Sequence, residues 1–284
     1  MIFWRLPAAL FLLTTSATFA RQFDEPRAGG SGSDSRELGD DPDFSEPHGL
    51  VRVRTWFDQG GTELLGVFAD VPEMEFHQQS ELIGNCRLMT YSPTTCAPPC
   101  GSASACVAGE CAPWPVPEDK GELLWTWPDG EEVVSPDRTL GYFATGTATA
   151  AGEVSIEVED FALTSSTIGS PEERGSWLDA IISRGSGDAV LRWKEPILHA
   201  RIRLHMTDCI VSHGGFAAAE IECEGPDTGE LIVPGSFLDE VEAGDWNHTQ
   251  CGDHSFDRYH ASSPDDDTLT RLETVGPGTL FYHP

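Results

Sequence analysis

Ala200, Ile202, Leu204 and Met206 alternate along the chain with His199, Arg201, Arg203 and His205. Successive side chains of a strand point to opposite faces, so this spacing makes one apolar face and one face of nothing but arginine and histidine. A helix would smear both sets around its axis, and the segment therefore reads as a strand packed on one side only. The same period of two recurs where Val51 and Val53 alternate with Arg52 and Arg54. It recurs again where Val154, Ile156 and Val158 alternate with Glu153, Ser155, Glu157 and Glu159. Short apolar runs bounded by Gly, Pro or Asp predict further strands near 64–69, 87–91, 122–127, 138–144, 189–193, 218–223, 230–233, 269–275 and 279–282. Helical spacing is confined to 236–242, where Ser236 is placed to cap one short helix.

The expected fold is all-β, an antiparallel β-sandwich built from two β halves at 49–165 and 185–284. The Val-Leu-Arg-Trp strand that ends at Trp193, ahead of Pro196, resembles the second strand of fibronectin-III-type sandwiches, a likeness that implies an immunoglobulin- or fibronectin-III-like C-terminal half with the tryptophan filling a core. If 200–206 and 219–223 form a hairpin around Ser212-His213-Gly214-Gly215, Glu220 and Glu222 face Arg201 and Arg203. Cross-strand pairs of that kind contribute about 0.2–1 kcal/mol each.

A formal charge of −30, with Lys120 and Lys194 the only lysines, excludes non-specific attachment to nucleic acid or anionic membranes. It leaves weak cation binding as the natural property of the surface. The acidic runs at 40–43 and 265–267 lack the alternating ligands and central glycine of a calcium loop and read as solvated turns.

The first residues carry one positive charge, Arg5, then an apolar run from Leu6 to Leu13 and small residues ending at Ala20. That is the layout of a secretory signal peptide over 1–20, and its apolar run is far shorter than the roughly 18 residues of a membrane span. Residues 21–48, rich in Gly, Ser, Asp and Glu, read as a disordered acidic linker. No transmembrane segment is expected in the mature chain. Its destination reads as secreted, or as periplasmic and cell-envelope.

Eight cysteines agree with an oxidising compartment. Cys96, Cys100, Cys106 and Cys111 form a C-x3-C-x5-C-x4-C insert within 86–111, with too little apolar material between them to hold a loop by packing. Cys96–Cys106 with Cys100–Cys111 is the pairing expected among three possibilities, and four thiolates on zinc is the rival arrangement. Cys86 joins them in the N-terminal half, while Cys209, Cys223 and Cys251 lie in the other. Both counts are odd, so full pairing requires at least one bridge between the halves.

His248, Asp253, His254, Asp257 and His260 are the densest run of metal-ligand types, and a loop that converged three of them would hold a catalytic metal. The run matches no established metalloprotease spacing. Asn247-His248-Thr249 also fits a glycosylation acceptor. No Gly-x-Ser-x-Gly elbow, phosphate-binding glycine loop or dinucleotide fingerprint is present, and no catalytic residue or cofactor is assigned.

Cys96-Ala-Pro-Pro-Cys100 through Cys111-Ala-Pro-Trp, the Ala151–Val158 strand, Leu191-Arg-Trp193 and Ile221-Glu-Cys-Glu-Gly-Pro-Asp-Thr-Gly-Glu-Leu-Ile-Val-Pro234 resemble uncharacterised secreted or lipid-anchored β-sandwich proteins of predatory social Gram-negative bacteria. The resemblance implies a fold and a location but no activity. The chain departs from that group in having no cysteine before Cys86 to carry a lipid. Expected, then, is an exported non-catalytic module that binds an unknown protein or carbohydrate ligand or serves a structural role at the envelope. The alternative is a secreted metal-dependent hydrolase built on the 248–260 loop.

Overall fold

The computed structural model describes residues 41–56, 60–92, 95–148, 150–169, 172–173, 187–207, 217–243, 255–264 and 270–276. The protein is all-β, with one short helix among the described residues. Its largest element is a nine-stranded sheet that uses β1 (Gly49–Trp56), β2 (Gly61–Phe68), β3 (His77–Ile83), β4 (Cys86–Tyr91), β9 (Tyr142–Thr147), β14 (Arg201–Thr207), β15 (Ala219–Pro226), β17 (Ser255–Ser262) and β18 (Thr270–Val275). Across the sheet these run β3-β4-β15-β14-β17-β18-β1-β2-β9, with β1 and β18 parallel.

One end of this sheet packs its apolar face on a four-stranded sheet of β7 (Leu123–Trp127), β8 (Gly130–Val134), β10 (Glu153–Glu157) and β11 (Ala162–Ser166). Val51, Leu64 and Leu272 there meet Trp125, Ile156 and Leu163. The other end packs on β13 (Ala189–Lys194), β16 (Glu230–Val233) and the helix α1 (Gly235–Ala243), where Leu204, Ile221 and Phe256 meet Trp193, Val233 and Phe237, and β12 (Glu172–Glu173) pairs with β13. Trp193 is buried, and its indole N–H donates to Asp227, whose second oxygen lies 2.8 Å from Arg258 Nε.

Several sequence expectations change. The division into halves 49–165 and 185–284 does not separate structural units, because β4 pairs with β15 and β1 with β18 inside one sheet. Turn residues in a sequence mark where strands end, but they carry no information on which strand pairs with which. The stretch 21–48 is not a tether throughout: residues 41–48 are held on the sheet by hydrogen bonds from buried arginines. The helix begins at Gly235, and Asp188, remote in sequence, accepts the Gly235 N–H rather than Ser236 capping the turn. β14 and β15 do pair antiparallel, but Arg203 lies opposite Glu224 and Arg201 opposite Pro226, so each arginine meets a residue four positions beyond the glutamate that an antiparallel match to Glu220 and Glu222 would give it. Residues 1–20 and the strand predicted at 279–282 lie outside the described residues.

Cys86 and Cys223 sit directly opposite each other on β4 and β15 and are joined, closing a separation of 137 residues. Cys96–Cys106 and Cys100–Cys111 tie a small ribbon of β5 (Ser104–Val107) and β6 (Glu110–Pro113) to the loop before it. The ribbon turns at Ala108 and Gly109, both at positive φ, the requirement of a two-residue turn that follows the strand twist. Cys209 and Cys251 lie outside the described residues. No helix among the described residues is long and apolar enough to cross a membrane.

Candidate functional site

The second face of the nine-stranded sheet is where the alternation seen in the sequence leads. Because each strand presents every other residue there, six of the chain's fifteen arginines gather on it: Arg52, Arg54, Arg87, Arg201, Arg203 and Arg271. Glutamates of the neighbouring strands meet them. Glu273 on β18, 1 % exposed, accepts from Arg203 at 2.9 and 3.1 Å and from Arg52 at 3.0 and 3.2 Å. Burial alone would push its carboxyl up, but the attraction of Arg203 and Arg52 outweighs it and holds the group far below the usual carboxylate range. Glu224 takes both Arg201 and the Tyr259 hydroxyl, and Arg87 reaches Glu222 and Glu75.

Residues 41–47 cross this face as a strap. Arg201 donates to the Asp41 carbonyl at 2.7 Å, Arg271 to Asp43 at 2.8 Å, and the Asp43 N–H to Glu224 at 2.6 Å. The Phe44 ring lies under the Arg87 guanidinium, 4.7 Å from its centroid, a cation–π arrangement. These charge-assisted bonds offset the ordering entropy of a polar segment that has little surface of its own to bury.

Two clefts open along the strap, sharing Glu46, Pro47 and Leu50 as a common wall. The first, about 200 Å³, is floored by charge: Arg52, Arg87, Arg203, Glu222, Arg271 and Glu273. The second, about 380 Å³, is apolar, walled by Leu50, Val67, Val71, Met74, Phe76 and Trp114 with Glu46, His48 and Glu73 at its rim. The cysteine-rich ribbon builds that second wall. Trp114 follows β6 directly, its N–H donates to Ala103, and the Val116 N–H donates to Asp70. The apolar surface continues past the groove through exposed Leu65 and Phe143, which lie opposite each other on β2 and β9.

Of the metal-ligand residues read from the sequence, Asp257 and His260 fall in β17 and point to opposite faces, three positions apart in a period of two, so one ion cannot take both. Asp257 is buried among Arg52, Arg54 and Arg203, and His260 faces the His199 carbonyl at 3.2 Å. His248, Asp253 and His254 lie outside the described residues. Cys96, Cys100 and Cys111 do stand close together, but as disulfide sulfurs, which are not the thiolates a metal needs. Met74, Phe76 and Trp114 were not anticipated as site residues; a tryptophan beside a cross-linked insert with no core of its own was the available signal.

The fold and site together define an all-β protein with cross-linked strands. No family model matches the chain, and no curated protein matches it. Among solved structures, one match is a Ca2+-stabilized adhesin that helps an Antarctic bacterium reach out and bind ice, at 11% identity and a TM-score of 0.20. The match covers 83% of this chain and 48% of the adhesin, so the chain spans about half that structure's length.

Proposed function

We propose that this is an exported, non-catalytic β-sandwich module that binds a protein or carbohydrate ligand through the apolar groove beside the strap. The observation that carries the reading is the groove itself. Its volume of about 380 Å³ falls in the range of ligand sites, and its walls are apolar with a few polar groups at the rim, the usual composition of such sites. The charged cleft next to it has its guanidinium groups paired with carboxylates, so anion capture is the weaker alternative. Export is supported by the three disulfides among the described residues and by the leader read in the sequence. The sandwich reading, fibronectin-III-like around Trp193, is supported by the two layers that close over that tryptophan.

The test is equilibrium binding of the purified chain to a panel of soluble polysaccharides and envelope proteins, repeated with Trp114→Ala, Val67→Glu and Arg192→Ala. The groove substitutions should abolish what the wild type binds, while Arg192→Ala on the exposed surface of β13 leaves it unchanged. Ligand capture that survives both groove substitutions overturns the reading.

A further inference from the structure

We propose that His205, Glu220 and Glu222 form a binding site for a divalent transition metal of the zinc class, at the β14–β15 edge of the charged cleft. Register brings them together. His205 lies directly opposite Glu222, and Glu220 is two residues earlier on the same strand, hence on the same face. One ligand atom from each falls within 4.8 Å of the others. His205 Nε2 and Glu220 Oε2 are 3.3 Å apart, close to the separation of about 3.4 Å that two donors adopt around a tetrahedral ion with bonds near 2.1 Å.

The surroundings suit a metal. His77 Nε2 is 2.7 Å from the Ala217 carbonyl, and a carbonyl only accepts, so that nitrogen carries the proton. The same N–H stands 3.5 Å from the far oxygen of Glu220, where it orients the carboxylate from outside as the outer partners of metal ligands do. Glu222 engages Arg87 through Oε2, and a carboxylate has lone pairs enough to serve an arginine and an ion together. The three ligand residues are half-buried, shielded from bulk water yet reachable, because His205 and Glu222 line the cleft. One imidazole and two carboxylates, without thiolate, favour zinc, manganese or nickel over copper(I), and an imidazole disfavours calcium and magnesium. Three protein ligands leave a fourth position of a tetrahedral ion for water or a small ligand.

The experiment uses the full exported chain, stripped with chelator and dialysed, and titrated with zinc chloride by calorimetry and with cobalt(II) by absorption. One equivalent of each metal is expected. His205→Asn and Glu220→Gln should weaken zinc binding by a factor of about 100 or more, and His77→Gln by about 10 with the stoichiometry kept, in line with the effect of outer partners. His260→Asn, on the other face of the sheet, should leave binding unchanged. Absence of binding at millimolar zinc by a chain with its unfolding transition intact overturns the proposal, as does binding that persists in folded His205→Asn and Glu220→Gln. If those variants do not fold, the cobalt spectrum of the wild type decides: visible bands of a four- or five-coordinate ion with a nitrogen ligand support the site, and the spectrum of the hexaaquo ion overturns it.

Discussion

Arg201 clasps the Glu224 carboxylate diagonally, since the residue opposite it across the β14–β15 ladder is Pro226. The pair is buried, with Arg201 4 % and Glu224 1 % exposed. Glu224 also accepts from the Asp43 N–H and the Tyr259 hydroxyl, so its lone pairs are filled from the strap, β14 and β17 at once. The charged face is in this way a network of paired groups that anchors the strap beside the apolar groove.

Breaking the network at its centre should be costly. Glu273→Gln leaves Arg203, Arg52 and Arg271 around an uncharged side chain, and loss of one partner of a buried ion pair costs about 3–5 kcal/mol. Arg192→Ala removes an exposed cross-strand pair with Glu230 and should cost less than about 1 kcal/mol. Urea unfolding of the two variants measures the contrast, and equal losses would contradict it.

Asp257 is expected to behave in the opposite sense. Burial pushes its carboxyl up, only partly offset by Arg54, Arg52 and Arg203, and its Oδ1 has no hydrogen-bond partner among the described residues. Asp257→Asn removes a buried charge that is poorly satisfied, so the unfolding midpoint at neutral pH should stay level or rise. A large drop would show that the arginines depend on this carboxylate.

Stability should peak in mildly acidic solution. Glu46 and Glu75 are raised above their ordinary 4.5, chiefly by burial. For Glu46 the repulsion of Glu222 adds to this. A raised carboxyl binds its proton more tightly in the folded state, so stability rises as pH falls through its folded pKa. Glu273 and Asp43 are lowered, because their arginine and hydrogen-bond partners outweigh burial. Their contribution is complete above the ordinary carboxylate values and is lost as pH falls toward the folded pKa. Thermal midpoints from pH 8 downward should therefore climb first and then fall, and Glu46→Gln should flatten the climb. A midpoint that declines steadily from neutrality would refute this.

The disulfides divide into two kinds of work. Replacing Cys86 and Cys223 by alanine opens a crosslink over 137 residues and, in the chain-entropy account, costs about 4–5 kcal/mol. Replacing Cys100 and Cys111 frees a ribbon at the edge of the apolar groove. Hydrogen exchange in that variant should increase around Ala103 to Trp114, with the nine-stranded sheet still protected. Loss of protection across the sheet would mean that the ribbon is part of the global folding unit.

Much of the local structure was legible. Alternation at 200–206 and at 51–54 marked strands with one packed side, and these are β14 and part of β1. The same alternation identified Arg201 and Arg203 as a basic face in need of partners. Their partners were not legible as a set: Glu273 is brought in by β18, two strands away from β14, and Asp43 by a segment whose composition reads as linker. The metal ligands followed the same course. Density along the chain pointed to 248–260, where the period of two sends Asp257 and His260 to opposite faces, while His205, Glu220 and Glu222 are spread over two strands and meet by register.

By itself the sequence determined an all-β chain, the apolar and charged faces of the strands that alternate most clearly, and a cluster of cysteines that calls for cross-links or a metal. These are local properties, set by side-chain alternation and turn chemistry within a few residues. Tertiary structure alone decided which strands became neighbours, and with it the mixing of both halves in one sheet, the strap over the arginines and the two clefts it separates. Pairing joins residues more than a hundred positions apart, and no local pattern carries the register that places Glu222 opposite both His205 and Arg87.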